Sequence, residues 1–380
     1  MMYMLLFVSE STKTMYRNIG KSALENGKEF SNDQLIEEIP MIHLNLETAW
    51  LLYWFKQKDI ILSMESWWYI VVVLCSCVWN QVTAINEDCP HPEDSYPCYC
   101  EEDEDRTTIH CNYLQENKQI QDGLSRLSEY KFTTVSIWMF DTGTIKSDAF
   151  KGPQINEIVF SHSTVSMESP PFLGQENYLN RLTFLSCYDE EDLLNTWSLG
   201  HLNKLKEVTF EKNDIKVLKN NWISSAGPML RSVTFDNCKL EKLEDKVFSK
   251  LNSLTTIFLM DNKITTISRS MFPRPAENLR TISMNDNNIE TLPDDIFVDM
   301  PSLRTVELER NNLKTLNEAA WGKVVEDLSR VYLEDNPFRC DKNLKWISKK
   351  ALPKTFTGTC SEPSKLKNKS LRLLTPADFH

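Results

Sequence analysis

The chain has 380 residues, 41% hydrophobic and 25% charged, and its 54 acidic against 42 basic residues give a formal net charge of −12. That balance excludes a nucleic-acid binder working through a basic face. Only ten glycines occur, with no His-Glu-x-x-His, no Gly-x-Ser-x-Gly and no glycine-rich phosphate loop, so the expectation is a protein with no catalytic activity and no cofactor.

In chain order, the first landmark is Trp67 to Trp79, an apolar run bounded by Glu65 and Asn80 and followed by the small residues Val82-Thr83-Ala84. A membrane-spanning helix needs about 20 apolar residues, and this run is too short. Residues 64–84 therefore read as a signal peptide cleaved after Ala84, with Met64 as the start and an uncleaved anchor as the alternative. A secreted chain has no use for residues 1–63 ahead of such a segment. They read as a gene-model extension or alternative start, with no fold assigned. No second hydrophobic span and no lipid-anchor tail follow, so the mature chain is expected to be secreted, extracellular and without a membrane span. Six of the basic and nine of the acidic residues lie in the first 84, which leaves the mature chain at −9.

Residues 85–131 form a Cys-rich N-cap holding Cys89, Cys98, Cys100 and Cys111. In a secreted chain this reads as a disulfide framework. Cys98 and Cys100 are too close to pair comfortably with each other, which leaves two of the three pairings. A metal site is the other use of four cysteines, but a one-residue spacing in a secreted chain argues against it, and no metal is expected.

From Phe132 to Phe338 one pattern recurs nine times at intervals of 23 to 26 residues, opened by Phe132, Ile155, Leu179, Leu205, Leu230, Leu254, Leu279, Leu303 and Leu328. Apolar residues follow three and five positions later, as at Ile257 and Leu259 or Ile282 and Met284, so each copy supplies a short alternating strand. Eight positions after each opening stand Phe140, Ser163, Cys187, Asn213, Cys238, Asn262, Asn287, Asn311 and Asn336. A short amide or thiol there can hydrogen-bond backbone groups orphaned where the chain leaves the strand. Phe140 cannot, so the first copy is degenerate. A third column, Phe150, Phe172, Trp197, Trp222, Phe248, Phe272, Phe297 and Trp321, should stack behind the sheet. Three columns in register identify residues 132–335 as nine leucine-rich repeats, an α/β repeat solenoid with a curved parallel sheet on its concave face and disulfide-bonded caps. Cys187 and Cys238 stand two repeats apart, on the order of 10 Å, and should be buried free thiols.

Residues 336–380 form the C-cap, with Cys340, Cys360 and the glycosylation sequon at Asn368. The caps and the roughly 24-residue period resemble the extracellular leucine-rich repeat family over about residues 89–380. The family's second cysteine shortly after Cys340 is missing, Lys342 standing there, so the resemblance implies one bridge, Cys340 to Cys360. The stretches 344–347, 356–360 and 366–379 are similar, more narrowly, to the arthropod family called Oplophorus-luciferin 2-monooxygenase non-catalytic subunit. That likeness favours interleaved Cys89–Cys100 and Cys98–Cys111 bridges. It implies an accessory role beside a separate catalytic chain, and most relatives occur in non-luminous animals.

Solvent-facing strand positions fall two, four, six and seven residues after each opening. They present Trp138, Met139 and Leu185 at one end, and Glu211, Asp236, Phe258, Met260, Asp261, Asp286, Glu307, Glu309 and Tyr332 further on. The concave face is thus expected to be aromatic at one end and acidic toward the other, a binding site for an extracellular protein ligand of basic character. Adhesion, matrix assembly and ligand recognition all fit such a scaffold. The alternative is the accessory subunit of a secreted luciferase-type monooxygenase, and a third reading is recognition of microbial glycan or lipid.

Overall fold

The computed structural model describes residues 89–379 except 105, 142, 189–197, 221 and 224. The extension 1–63, the signal segment 64–84, Trp197 and the acidic run Asp189 to Asp192 lie outside the described residues. Asn86–His380 is one compact unit.

A single sheet of twelve strands runs through it in chain order: β1 (Tyr99–Asp103), β2 (Arg106–Asn112), β3 (Lys131–Trp138), β4 (Gln154–Ser161), β5 (Arg181–Leu185), β6 (Glu207–Glu211), β7 (Ser232–Asp236), β8 (Thr256–Phe258), β9 (Thr281–Ser283), β10 (Thr305–Glu307), β11 (Arg330–Tyr332) and β12 (Thr355–Phe356). All neighbours are parallel except β1 and β2. Strands β3 to β11 belong to the nine repeats. The sheet outruns them at both ends, through β2 in the N-cap and β12 in the C-cap.

Register follows from the period. Arg181, Glu207 and Ser232 stand side by side, as do Leu182, Val208 and Val233, because each copy places its alternation at the same point. Residues three and five after each opening point inward and are buried; Ile257, Leu259, Val306 and Leu308 are each at most 2% exposed. Behind the sheet the expected aromatic spine forms in part, with ring centroids 5.5 Å apart for Phe150 and Phe172, 6.2 Å for Trp222 and Phe248, and 4.9 Å for Phe297 and Trp321. A second stack, unforeseen in the sequence, lies directly under the sheet. Phe160, Phe184, Phe210 and Phe235 follow one another at 5.4, 5.0 and 4.8 Å with near-parallel rings.

The ladder column closes the turn out of each strand. Asn262 shows the full pattern. Its Nδ2 donates to the carbonyls of Phe235 and Met260, and its Oδ1 accepts from the amides of Cys238 and Leu240. Asn213, Asn287, Asn311 and Asn336 repeat it in place. The thiols of Cys187 and Cys238 each share one S–H between the two corresponding carbonyls, at 3.3 to 3.4 Å, a weaker version of the amide's two donations. Both are buried and outside the disulfides, and burial pushes the Cys238 thiol up to about 12, which keeps it an un-ionised donor. Ser163 bridges Phe140 N–H and Ser161 carbonyl, while Phe140 itself is wholly buried.

The residue before each ladder position is left-handed in all nine repeats: Met139, His162, Ser186, Lys212, Asn237, Asp261, Asp286, Arg310 and Asp335 have φ between 49° and 56°. Tyr113, at the end of β2, shares the conformation with φ 54°. From Tyr113 to Arg310 each of these donates its N–H across to the next repeat, as Met139 does to Ser161 and Asp261 to Asn285. The interstrand bond offsets the cost of a conformation that non-glycine residues seldom adopt.

In the caps, Cys89–Cys100, Cys98–Cys111 and Cys340–Cys360 are bridged with Cα separations of 5.6, 4.4 and 5.6 Å. Gly152 passes so close to the carbonyl of Leu124 in the N-cap that a Cβ would sit 2.4 Å from it. At the other end Trp346 buries its ring and donates Nε1–H to the carbonyl of Leu316 in the eighth repeat. Two buried polar side chains serve the loops behind the sheet: Gln175 joins Ile155 N–H to the carbonyls of Phe150 and Pro153, and the Arg269 guanidinium collects those of Val298, Phe272, Pro273 and Asp299. Among the described residues no helix is long and apolar enough to cross a membrane.

Candidate functional site

The open face of the sheet is built from alternate strand residues, and one row crosses it without a break. Asn112, Trp138, Ser161, Leu185, Glu211 and Asp236 stand beside one another in register from β2 to β7. The row continues through Met260, Asn285, Glu309 and Glu334, each of which receives the N–H of a left-handed residue from the preceding repeat.

Its first end is aromatic. Tyr99 stacks on His110 at 4.9 Å and accepts a hydrogen bond from Asn112 Nδ2, and Glu101 lies 3.3 Å from the same imidazole. Tyr113 meets Trp138 edge-on at 4.8 Å, and Trp138 donates Nε1–H to His162 Nδ1 at 3.4 Å. Met139 is 45% exposed and Tyr113 56%. Trp138 is half-buried, so the N-cap flanks this end without covering it. Leu185 is half-buried beside Glu211.

The second end carries negative charge, part of it already matched. Glu211 pairs with Lys212 at 2.9 Å. Asp286 takes two hydrogen bonds from the Arg310 guanidinium, which raises the Arg310 pKa. Its carboxylate is therefore committed within the protein. Asp236, Asp261, Glu307, Glu309, Glu334 and Asp335 make no ion pair among the described residues. Burial first, then the charges of Asp261 and Glu211, hold the Asp236 carboxyl above the ordinary range against the opposing pull of Lys212. Glu309 is raised by burial first, then by its hydrogen bond with Glu334 and that residue's charge, with Arg310 opposing. Asn285 orients Glu309 by donating Nδ2–H to its carboxylate at 3.1 Å.

Phe258, Met260 and Tyr332 sit half-buried among these acids, Phe258 beside Thr234 and Tyr332 beside Glu307. Two positions of the expected solvent-facing set are covered instead. Ser283 is fully buried between Phe258 and Glu307, because a short side chain in register with two long ones is overshadowed. Thr305 is 2% exposed under Arg330, which donates Nε–H to its hydroxyl.

The left-handed column gives a backbone reason for part of the acidic pattern. Asp and Asn are the side chains that best tolerate positive φ, so Asp261, Asp286 and Asp335 meet a conformational demand whatever else they do. Asp236 and Glu307 stand at ordinary strand positions and Glu309, two residues past β10, is not left-handed, so these acids need another explanation. Among the described residues no group of three or more His, Cys, Asp or Glu is placed to hold a metal ion. The histidines are dispersed; His201 Nε2 lies 2.7 Å from the Pro171 carbonyl oxygen. Asn368 is exposed at φ 66° in a C-cap turn, where its N–H donates to the Cys360 carbonyl.

Comparison with known families finds two matches. The family described as leucine rich repeat matches residues 277–338, and that described as BspA type leucine rich repeat region, in six copies, matches residues 182–304. No curated protein matches the chain.

Proposed function

We propose that this leucine-rich repeat solenoid is a secreted, non-catalytic scaffold that holds a basic extracellular protein ligand on the open face of its sheet. One observation carries the reading. Asp236 in β7 and Glu309 just past β10, at positions whose backbone makes no demand for an acid, are carboxylic although burial and their acidic neighbours resist their ionisation. Asp236 makes no ion pair among the described residues and Glu309 bonds only to its face neighbours Asn285 and Glu334, and acids that oppose folding on an open face fit a surface that meets a partner. The aromatic end supplies apolar anchors, and the acidic end steers a cationic partner toward them.

The sign of the pH effect follows from the raised carboxyls. A folded-state pKa above the unfolded one means that protonation favours the fold, so this contribution is full below the ordinary carboxylate values and is lost as pH rises through the raised ones. The Asp236→Asn, Glu309→Gln double variant is expected to melt at or above the parent temperature at neutral pH, and the difference should vanish at acid pH. Calorimetry at both pH values checks this, and a lower neutral melting temperature refutes the assignment.

Affinity capture from native extracellular fluid, with the full chain as bait, tests the site itself. The Asp236→Asn, Asp261→Asn variant should bind the captured basic protein about tenfold more weakly, chiefly through slower association at low salt. Equal binding by both baits removes the acidic site. A second reading, an accessory subunit of a luciferase-type monooxygenase, draws support from the interleaved Cys89–Cys100 and Cys98–Cys111 bridges that the arthropod resemblance favours. It requires a small catalytic chain to be captured in stoichiometric amount.

A further inference from the structure

Charge is separated along the solenoid. Residues 89–131 carry ten acidic against four basic residues, whereas residues 336–380 carry ten basic against three acidic. The sheet places these segments at its opposite edges, behind β1 and β12.

In the N-cap, Glu93, Asp94, Glu102, Asp103 and Glu104 are exposed, and no ion pair reaches them among the described residues. In the C-cap, Glu362 and Asp378 are taken up by Arg339 and Lys369. Lys342, Lys345, Lys349 and Arg372 make no ion pair among the described residues. They lie on two neighbouring segments, since the 3-10 segment Lys342–Lys349 buries Leu344 and Ile347 and packs against the segment Leu371–Leu373. Each charged surface includes a large apolar residue in the open, Tyr96 at 72% exposure in the N-cap and Leu373 at 65% in the C-cap.

Charged lids have a plain purpose, since they keep the open ends of a stack from associating. Like charge at both ends would serve it, and opposite charge defeats it. Twelve strands at about 4.8 Å set the caps roughly 50 Å apart, several times the ~8 Å screening length in physiological salt, so the two ends cannot neutralise each other within one molecule. An apolar residue within a charged rim is also the make-up of a protein contact surface.

We infer that the chain binds a second copy of itself head to tail, the basic C-cap of one copy seated on the acidic N-cap of the next. Such a contact is heterologous and leaves a free head and a free tail on every assembly, so it extends to short linear chains.

Sedimentation velocity of the full chain tests it. The wild type should associate at about 20 mM salt, and its dissociation constant should rise by about tenfold or more by ~0.5 M as the charges are screened. Two reversals separate the ends: Lys342→Glu, Lys345→Glu, Lys349→Glu at the tail, and Glu102→Lys, Asp103→Lys, Glu104→Lys at the head. Each variant alone should stay monomeric while keeping the wild-type circular dichroism spectrum. An equimolar mixture should associate again into alternating chains, because the unchanged head of the tail variant matches the unchanged tail of the head variant and the two reversed ends match each other, and a chain carrying both reversals should associate as well. A wild type that is monomeric at low salt overturns the inference, as does self-association of either single-end variant on its own. Retention of a monomeric wild type, but not of the tail variant, on a sulfated polysaccharide column overturns it too and assigns the basic cap to a polyanion.

Discussion

Phe210→Ala is expected to destabilise the folded unit by about 3–5 kcal/mol, the range for removing a fully buried phenylalanine from a core that cannot close over the gap. Phe210 is 0% exposed and lies in the middle of the stack beneath the sheet, with ring centroids 5.0 Å from Phe184 and 4.8 Å from Phe235. Trp222 and Tyr188 close on it at 6.0 Å from the sides. The rings belong to successive repeats, so no single loop can collapse into the space. A solenoid transmits stability from neighbour to neighbour. Loss at one junction should therefore also divide the unfolding transition, with repeats on the two sides of Phe210 melting separately. Guanidinium unfolding followed by fluorescence measures both effects. A single transition displaced by under about 1 kcal/mol would show that the stack contributes little beyond the area it covers.

Asn262→Ala is the second large effect, about 3–5 kcal/mol, since four buried backbone groups lose their partner and each unsatisfied group costs about 1–3 kcal/mol. The protein supplies its own control. Cys238, one repeat earlier, holds the same place with one S–H shared between two carbonyls and a weakly accepting sulfur. Asn262→Cys should thus keep one S–H shared between the Phe235 and Met260 carbonyls and a weak sulfur acceptor for the amides, at roughly half the loss. If the alanine and cysteine variants melt alike, the donor half of the ladder carries no weight.

The period made the solenoid legible because packing between repeats forces chemically equal positions into spatial register. Ile257, Ile282, Val306 and Val331 had to be one buried row once their spacing was seen. The ladder was legible for the same reason, its asparagines being one hydrogen-bonding role repeated. The aromatic stack was present in the letters at Phe160, Phe184, Phe210 and Phe235, five positions after four successive openings, but phenylalanine at an inward position reads as ordinary core until the strands are laid side by side. Ser283 and Thr305 were misread as solvent-facing because alternation specifies a face and says nothing of what a neighbour such as Arg330 lays across it. Asp286 looked available to a ligand for a similar reason, Arg310 being 24 residues distant in sequence and adjacent in space. Arg269 and Gln175 gave no signal, since no spacing rule announces a side chain that collects carbonyls from unrelated loops. The polarity of the caps was countable from the start, yet it acquires meaning only when the sheet sets them at opposite edges.

The left-handed column fixes what variation this surface can tolerate. Nine consecutive repeats hold Met, His, Ser, Lys, Asn, Asp, Asp, Arg and Asp in one backbone conformation, each side chain leaving the sheet at its rim. Valine, isoleucine and threonine are shut out of all nine places by their branched Cβ, while nearly every other chemistry is admitted. Recognition can therefore diverge at this rim one residue at a time, with charge, size and polarity all free to drift, and the strands beneath would register none of it.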